Sequence, residues 1–304
     1  MSDTNMIRDL RALTQAGMKD CKDALVETNW DLNKAVDVIK TKGKLVAAGS
    51  RVASEGLVSA ICINDENTMG MVEVNCVTDF VANSKEFRDF CDVVASSLAA
   101  HTLMNVPFQH QCDDIEDKRK ELQSITKENI VVRRWWVEQT FTENGRIFSY
   151  VHPNAGKGKI GVLLSAMALT KDYCNKQEFS DLCYDLAMQV AAMNPLAVSP
   201  DKLDPVIVER QQAIFKAQIE GMNKPAAAFT KIMDGKMNKW YTEVCLLNQE
   251  SVIHPKISVA QVLKNVEHSI GEVRIINFIR CQVGEDISKP VDNFADEVAQ
   301  MAGE

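Results

Sequence analysis

Residues able to do chemistry are plentiful in this chain but poorly spaced for it. The nine cysteines are Cys21, Cys62, Cys76, Cys91, Cys112, Cys174, Cys183, Cys245 and Cys281. Their number is odd, no Cys-x-x-Cys pair occurs, and most fall in apolar periodic runs. They read as buried small hydrophobes in a reducing compartment, not as a disulfide framework or a zinc site. The five histidines, His101, His110, His152, His254 and His268, are scattered. A Cys–His pair formed in space is the catalytic alternative they leave open. Neither Gly-x-Ser-x-Gly nor His-Glu-x-x-His occurs, and no Gly-x-x-x-x-Gly-Lys-Ser/Thr phosphate loop is present. Gly156-Lys157-Gly158-Lys159 lies between strand patterns, without the helix that would hold a phosphate, and reads as a hairpin turn. The expectation is a protein that is not an enzyme and needs neither metal nor cofactor.

One stretch combines an acid with an aromatic ring: Asn75-Cys76-Val77-Thr78-Asp79-Phe80-Val81-Ala82. Before it, Val72, Val74 and Cys76 alternate with Glu73 and Asn75, the period of a half-buried strand. After it, Phe87, Phe90, Cys91, Val94 and Leu98 share one face of a helix that Asn83 or Ser84 can cap. Asp79 and Phe80 therefore occupy a strand-to-helix connection, a place that is usually at the surface and often functional. Two readings follow. Phe80 is a core residue with Asp79 as a second cap, or both face outward to meet something.

The elements around this stretch predict a mixed α+β protein. Residues 4–42 read as three short helices, with apolar stripes Met6, Ile7, Leu10, Leu13, then Cys21, Ala24, Leu25, then Leu32, Ala35, Val36, Ile39. Residues 44–55 read as a linker. A strand near Val58–Cys62, a turn, a strand from Met69 to Cys76 and a helix from Ser84 to Leu103 follow. Next come a helix over Asp113–Lys127, with Ile115, Leu122 and Ile125 facing inward, and a β-branched strand over Ile130–Val137. The plan then repeats: strand Arg146–Val151, a loop His152–Gly156, strand Ile160–Ala168 and helix Asn175–Met193. Glu86-Phe87-x-Asp89-Phe90-Cys91 matches Glu178-Phe179-x-Asp181-Leu182-Cys183 at an offset of 178 − 86 = 92, which Thr78 and Thr170 share. That register points to an internal duplication. Prolines at 195, 200 and 205 interrupt it, and Val206–Ile219 with Pro225–Met237 reads as an inserted helical hairpin. A helix over Ser258–Glu267, a strand over Val273–Val283 and a final helix over Val291–Met301 close the chain. The expected divisions are 1–43, 44–55, 56–141, 142–199 with 255–287, 200–254 and 288–304.

The net charge of −8 weighs against a nucleic-acid binder, which must neutralise phosphates. No apolar run is long enough to span a bilayer, and the start lacks a signal pattern, so a cytosolic protein is expected.

Two motifs carry a resemblance. Thr78-Asp79-Phe80-Val81 resembles the signature of the elongation factor Ts family. Leu10-Arg11-x-x-Thr14-x-Ala16-Gly17-Met18-x-Asp20-Cys21-Lys22-x-Ala24-Leu25 is similar to that family's amino-terminal signature, and the order of segments fits over nearly the whole chain. The resemblance implies a ubiquitin-associated-like three-helix start and two related core halves, each a small antiparallel sheet with helices. It implies a guanine-nucleotide exchange factor that binds the GTPase elongation factor Tu and disturbs its magnesium and nucleotide site. By the same resemblance Asp79 and Phe80, flanked by Thr78 and Val81, act on that site. Met18 and Lys22 imply a contact from the amino-terminal unit, Ile125 and His152 two more, and Val252 and Ile253 a reach to another domain of the GTPase. Lys19 and Thr126 depart from the family pattern. The rival reading is a ubiquitin-type or nascent-chain adaptor, drawn from the three-helix start alone.

Overall fold

The computed structural model describes residues 6–7, 10, 18–32, 34–39, 52–63, 67–104, 112–154, 157–221 and 226–287. The linker residues 44–51 and the helix expected over 291–301 lie outside them. The elements are α1 (Met18–Glu27), β1 (Glu55–Ile63), β2 (Thr68–Cys76), α2 (Asp79–Asn83), α3 (Lys85–Met104), α4 (Cys112–Thr126), β3 (Val131–Gln139), β4 (Gly145–Asn154) and β5 (Lys157–Ala168). They continue with α5 (Lys171–Cys174), α6 (Gln177–Met193), α7 (Pro205–Glu220), α8 (Ala226–Val244), α9 (Val259–Ile270) and β6 (Val273–Gln282). Two antiparallel sheets result, ordered β1-β2-β3 and β4-β5-β6. The expected α+β class and duplicated pair of small sheets are borne out.

The duplication reaches detail that helix patterns do not carry. The register of β2 against β3 shifts between Glu73 and Val74; that of β5 against β6 shifts between Ser165 and Ala166. The offset between these bulges is 165 − 73 = 92, the spacing found in the helices. Thr78 caps α2 by accepting from the Val81 amide, and Thr170 caps α5 by accepting from the Tyr173 amide. A Thr at this place leaves its hydroxyl free to meet an otherwise orphaned helix N–H.

Each sheet has a helix face and a sheet face. Val72, Val74 and Cys76 of β2 pack with Phe87, Phe90, Cys91 and Val94 of α3. Val162, Leu164 and Ala166 of β5 pack with Phe179, Leu182, Cys183 and Leu186 of α6 and with Val259 and Val262 of α9. The opposite faces meet each other through Val58, Met69, Met71, Ile147, Leu163 and Cys281. Gly161 permits that approach: a Cβ there would stand 2.4 Å from Val58 Cγ1 and 2.9 Å from the Met71 sulfur.

This sheet-on-sheet packing corrects one expectation. β2 was expected to be half-buried, but all nine of its residues are buried, Glu73 and Asn75 included. Alternation of polar and apolar residues marks a solvated face only when nothing covers it. Here the second sheet covers it.

Smaller corrections concern ends and faces. β4 runs through His152, which was expected in a loop; it pairs with Ile160 of β5. α8 extends to Val244, beyond the expected Met237, because Met237 and Trp240 bury against Ala197, Leu203 and Cys245. Ile115 and Leu122 of α4 are buried as expected, whereas Ile125 is half exposed. In the amino-terminal unit, Leu10, Cys21, Ala24, Leu25, Ala35 and Ile39 form their own small core. No helix among the described residues is long and apolar enough to cross a membrane.

Candidate functional site: an exposed ring and a cleft

Phe80 is 83% exposed, so the outward-facing reading of its ring holds and the core reading does not. It lies in the first turn of α2, a helix of five residues, where only a loop connection was expected. So short a helix is marginal without outside support. The support comes from Glu128, just past the end of α4. Its Oε2 accepts from the Val77 amide at 3.0 Å and from the Thr78 amide at 2.9 Å, and its Oε1 accepts from the Thr78 hydroxyl. Hydrogen bonds to a charged acceptor are the stronger kind. Below the turn, Ala82 is buried and the Ser84 hydroxyl donates to the Val81 carbonyl. Ser84 Oγ then accepts from the Phe87 amide, capping α3. The ring thus projects from a clamped turn while Val81 packs against the first core.

The same clamp brings the end of α4 beside Thr78. Thr126 donates from its hydroxyl to the Leu122 carbonyl and accepts from the Glu128 amide, and Lys127 takes a left-handed φ of 60° that ends the helix. Thr126 therefore shapes the turn that presents Glu128, and Ile125, 50% exposed, stands next to it in sequence. Asp79 and Phe80 are both exposed, as is Ile125 near the end of α4. Sequence reasoning missed Glu128; nothing in the run Thr126-Lys127-Glu128 marks it, because its partner lies fifty residues away.

A second set of expected residues meets elsewhere. Tyr150, His152, Ile160, Met188, Gln189, Ala191, Ala192, Val252, Ile253 and Arg280 line a cleft of about 350 Å³. His152 comes from β4; Val252 and Ile253 come from the segment after α8, at the base of the helical hairpin. Gln189, buried on α6, fixes that segment. Its Oε1 accepts from the Val252 amide at 2.7 Å, and its Nε2 donates to the Glu250 carbonyl at 3.1 Å. The Tyr150 hydroxyl is hydrogen-bonded to His152 Nδ1 at 2.7 Å, which holds the imidazole against the strand. Tyr150 is two residues before His152 and on the same strand face, so this partner was legible from strand period. The cleft is mostly apolar, with Arg280 among its lining residues. Apart from these two groups, Met18 opens α1, where Lys22 is exposed.

One thiol lies beneath the first of these places: Cys76 donates to the Thr78 carbonyl at 3.1 Å. Burial pushes the Cys76 and Cys281 thiols up to about 12 and the Cys245 thiol to about 11. Cys62 is exposed, whereas Cys21, Cys91, Cys174 and Cys183 are buried like these three.

Two surface features stand out among the described residues: a clamped exposed ring on one sheet-and-helix half and a mostly apolar cleft on the other. Comparison with known proteins supplies the family. Residues 77–285 match the family model described as elongation factor TS. The chain is 37% identical to elongation factor Ts of Symbiobacterium thermophilum over 301 residues, covering 98% of this chain and 97% of that protein. Elongation factor Ts of Lawsonia intracellularis is 36% identical over 292 residues (93% and 98%), and that of Rickettsia rickettsii 37% over 315 (99% and 99%). The chain belongs to the elongation factor Ts family.

Proposed function

We propose that this chain is a guanine-nucleotide exchange factor that binds elongation factor Tu and promotes release of GDP by disturbing the site that holds magnesium and nucleotide. Membership of the family supports the partner and the class of activity. The observation that carries the mechanism is the 83% exposed Phe80 on a turn held from behind by Glu128. An apolar ring left in water on a rigid support has hydration to lose on docking and little conformational entropy to give up. Inserted between elements of the GTPase, it displaces what supports the metal. The exposed Asp79 carboxylate beside it competes for polar and charged groups around that metal. The coupling is reciprocal: whatever loosens the nucleotide when the factor binds also loosens the factor when nucleotide returns. No covalent bond is made or broken by this chain.

The other expected contacts divide the grip. The amino-terminal unit, residues 1–43, docks through Met18 and Lys22. Ile125, exposed near the end of α4, adds a further apolar contact. His152, Val252 and Ile253 offer an apolar cleft to a second domain of the GTPase. The test is release of fluorescent GDP from elongation factor Tu with and without this protein; acceleration at catalytic amounts is expected, and an unchanged rate excludes the function.

A further inference from the structure

Glu73 is the one buried carboxylate among the described residues. It sits in β2 on the face turned toward the second sheet, five residues before Thr78. Arg133 Nη1 donates to its two oxygens at 3.1 and 3.2 Å, and Arg134 Nε donates to Oε2 at 2.6 Å. Both arginines belong to its own sheet. Its remaining partners belong to the other half. The Gly284 amide donates to Oε1 at 2.9 Å, and Cys281 Sγ lies 3.6 Å from Oε2. The arginines cross over as well. Arg133 donates to the Glu285 carbonyl, and Arg134 donates to the Gln282 carbonyl at 2.9 Å.

From there the network reaches the cleft. Glu285 lies 3.6 Å from Arg134 and 3.7 Å from Arg280. Arg280 donates to the Ala191 carbonyl at 3.3 Å and walls the cleft with His152, Val252 and Ile253. A continuous set of directional contacts therefore runs from the strand that leads into the Phe80 turn to the edge of the second surface. Gly284 is built for its place. Its φ of 74° is left-handed, and a Cβ there would stand 2.7 Å from the Ser54 carbonyl oxygen.

A buried ion cluster is a poor way to gain stability, since desolvation cancels most of the attraction. Its better-attested use is to select one arrangement among several of similar energy. The apolar contact between the sheets, built on Val58, Met69, Met71, Ile147, Leu163 and Cys281, is non-directional and specifies the offset less sharply than hydrogen bonds do. Hydrogen bonds do have direction. The duplicate position, Ser165, carries a lighter version of the tie: its hydroxyl donates to Glu138 at 3.0 Å, across the same interface.

We propose that Glu73 is a positioning residue for exchange: it fixes the offset between the two halves so that the Phe80 turn and the His152/Val252/Ile253 cleft meet one GTPase together. The inference rests on the exchange function proposed above. Two surfaces on one rigid body act at a high effective concentration, and docking at the cleft then aims the ring. With the halves loosened, each surface still binds, but binding no longer drives the ring home.

The experiment compares the natural chain with Glu73→Gln and with the triple variant Glu73→Leu/Arg133→Met/Arg134→Met, which replaces the cluster by apolar groups of similar size. Release of fluorescent GDP from elongation factor Tu is measured over a range of factor concentrations, with thermal melting and amide exchange at Gly284 in parallel. The expected result is cooperative melting in at least the triple variant and faster exchange of the Gly284 amide. The maximal release rate falls by about tenfold to a hundredfold, with the half-saturating concentration little changed. A folded variant with the natural maximal rate overturns the positioning role, and so does a loss of rate that follows loss of folded protein in both variants. A natural chain that fails to release GDP overturns the exchange function and this inference with it, a result distinct from either of the others.

Discussion

Phe80 takes its exposure from a residue it does not touch in sequence. Glu128 satisfies the Val77 and Thr78 amides, and without it those donors have no partner where the turn leaves β2. Glu128→Ala is expected to cost about 1–3 kcal/mol, the range for leaving polar groups unsatisfied, in a urea titration. It should also slow GDP release toward the level of a Phe80→Ala chain, because the ring loses its support. The cysteines give a second prediction at this scale. In the folded protein a short maleimide pulse should modify Cys62 well before Cys76 or Cys281, as read by peptide mass spectrometry. Modification of all three at one rate contradicts the burial that raises the two thiols. The Thr-Asp-Phe-Val stretch is visible in the sequence, and so is its place between strand and helix. Its orientation is not, because a lone Phe after a strand is as compatible with a core as with a surface, and the deciding contact comes from Glu128.

Helix and strand types follow from hydrophobic period, and the offset of 92 in the helices points to two halves, which the matching bulges after Glu73 and Ser165 repeat. Phe87 and Phe179, equivalent under that offset, are both fully buried. They anchor α3 and α6 to their own sheets. Phe87→Ala is expected to destabilise by about 3–5 kcal/mol, as other large core truncations do. Phe80→Ala should stay within about 0.5 kcal/mol of the natural chain, as exposed sites do. Chemical denaturation of the two variants side by side checks the contrast; equal losses would place the Phe80 ring in the core. What period misjudges is coverage. β2 alternates polar and apolar residues like a strand with one wet face, yet its polar side is where the second sheet docks. Glu73 is tolerated there because two arginines and a backbone amide surround it. That environment is assembled from residues up to 211 positions away, and no local window contains it.

At the level of the whole molecule, the two halves form one body joined by the Glu73 cluster, with the amino-terminal unit carrying a core of its own. Burial pushes the Glu73 carboxyl up, but the Gly284 amide, Arg134 and Arg133 outweigh it and hold the group below its ordinary value of 4.5. A carboxyl whose folded value lies below its unfolded one adds stability above the unfolded value and loses it as pH falls through the folded value. Unfolding free energy should therefore drop more steeply in the natural chain than in Glu73→Gln as pH falls below the ordinary carboxyl value of 4.5. Parallel curves would contradict the assignment.

The central claim is that an exposed aromatic ring, held rigidly, loosens a partner's guanine nucleotide. Stopped-flow release of fluorescent GDP from elongation factor Tu, driven by the natural chain and by Phe80→Ala at equal folded concentration, tests it most directly. A large fall in the maximal release rate, with melting unchanged, is the predicted result. Equal rates from the two proteins would contradict it.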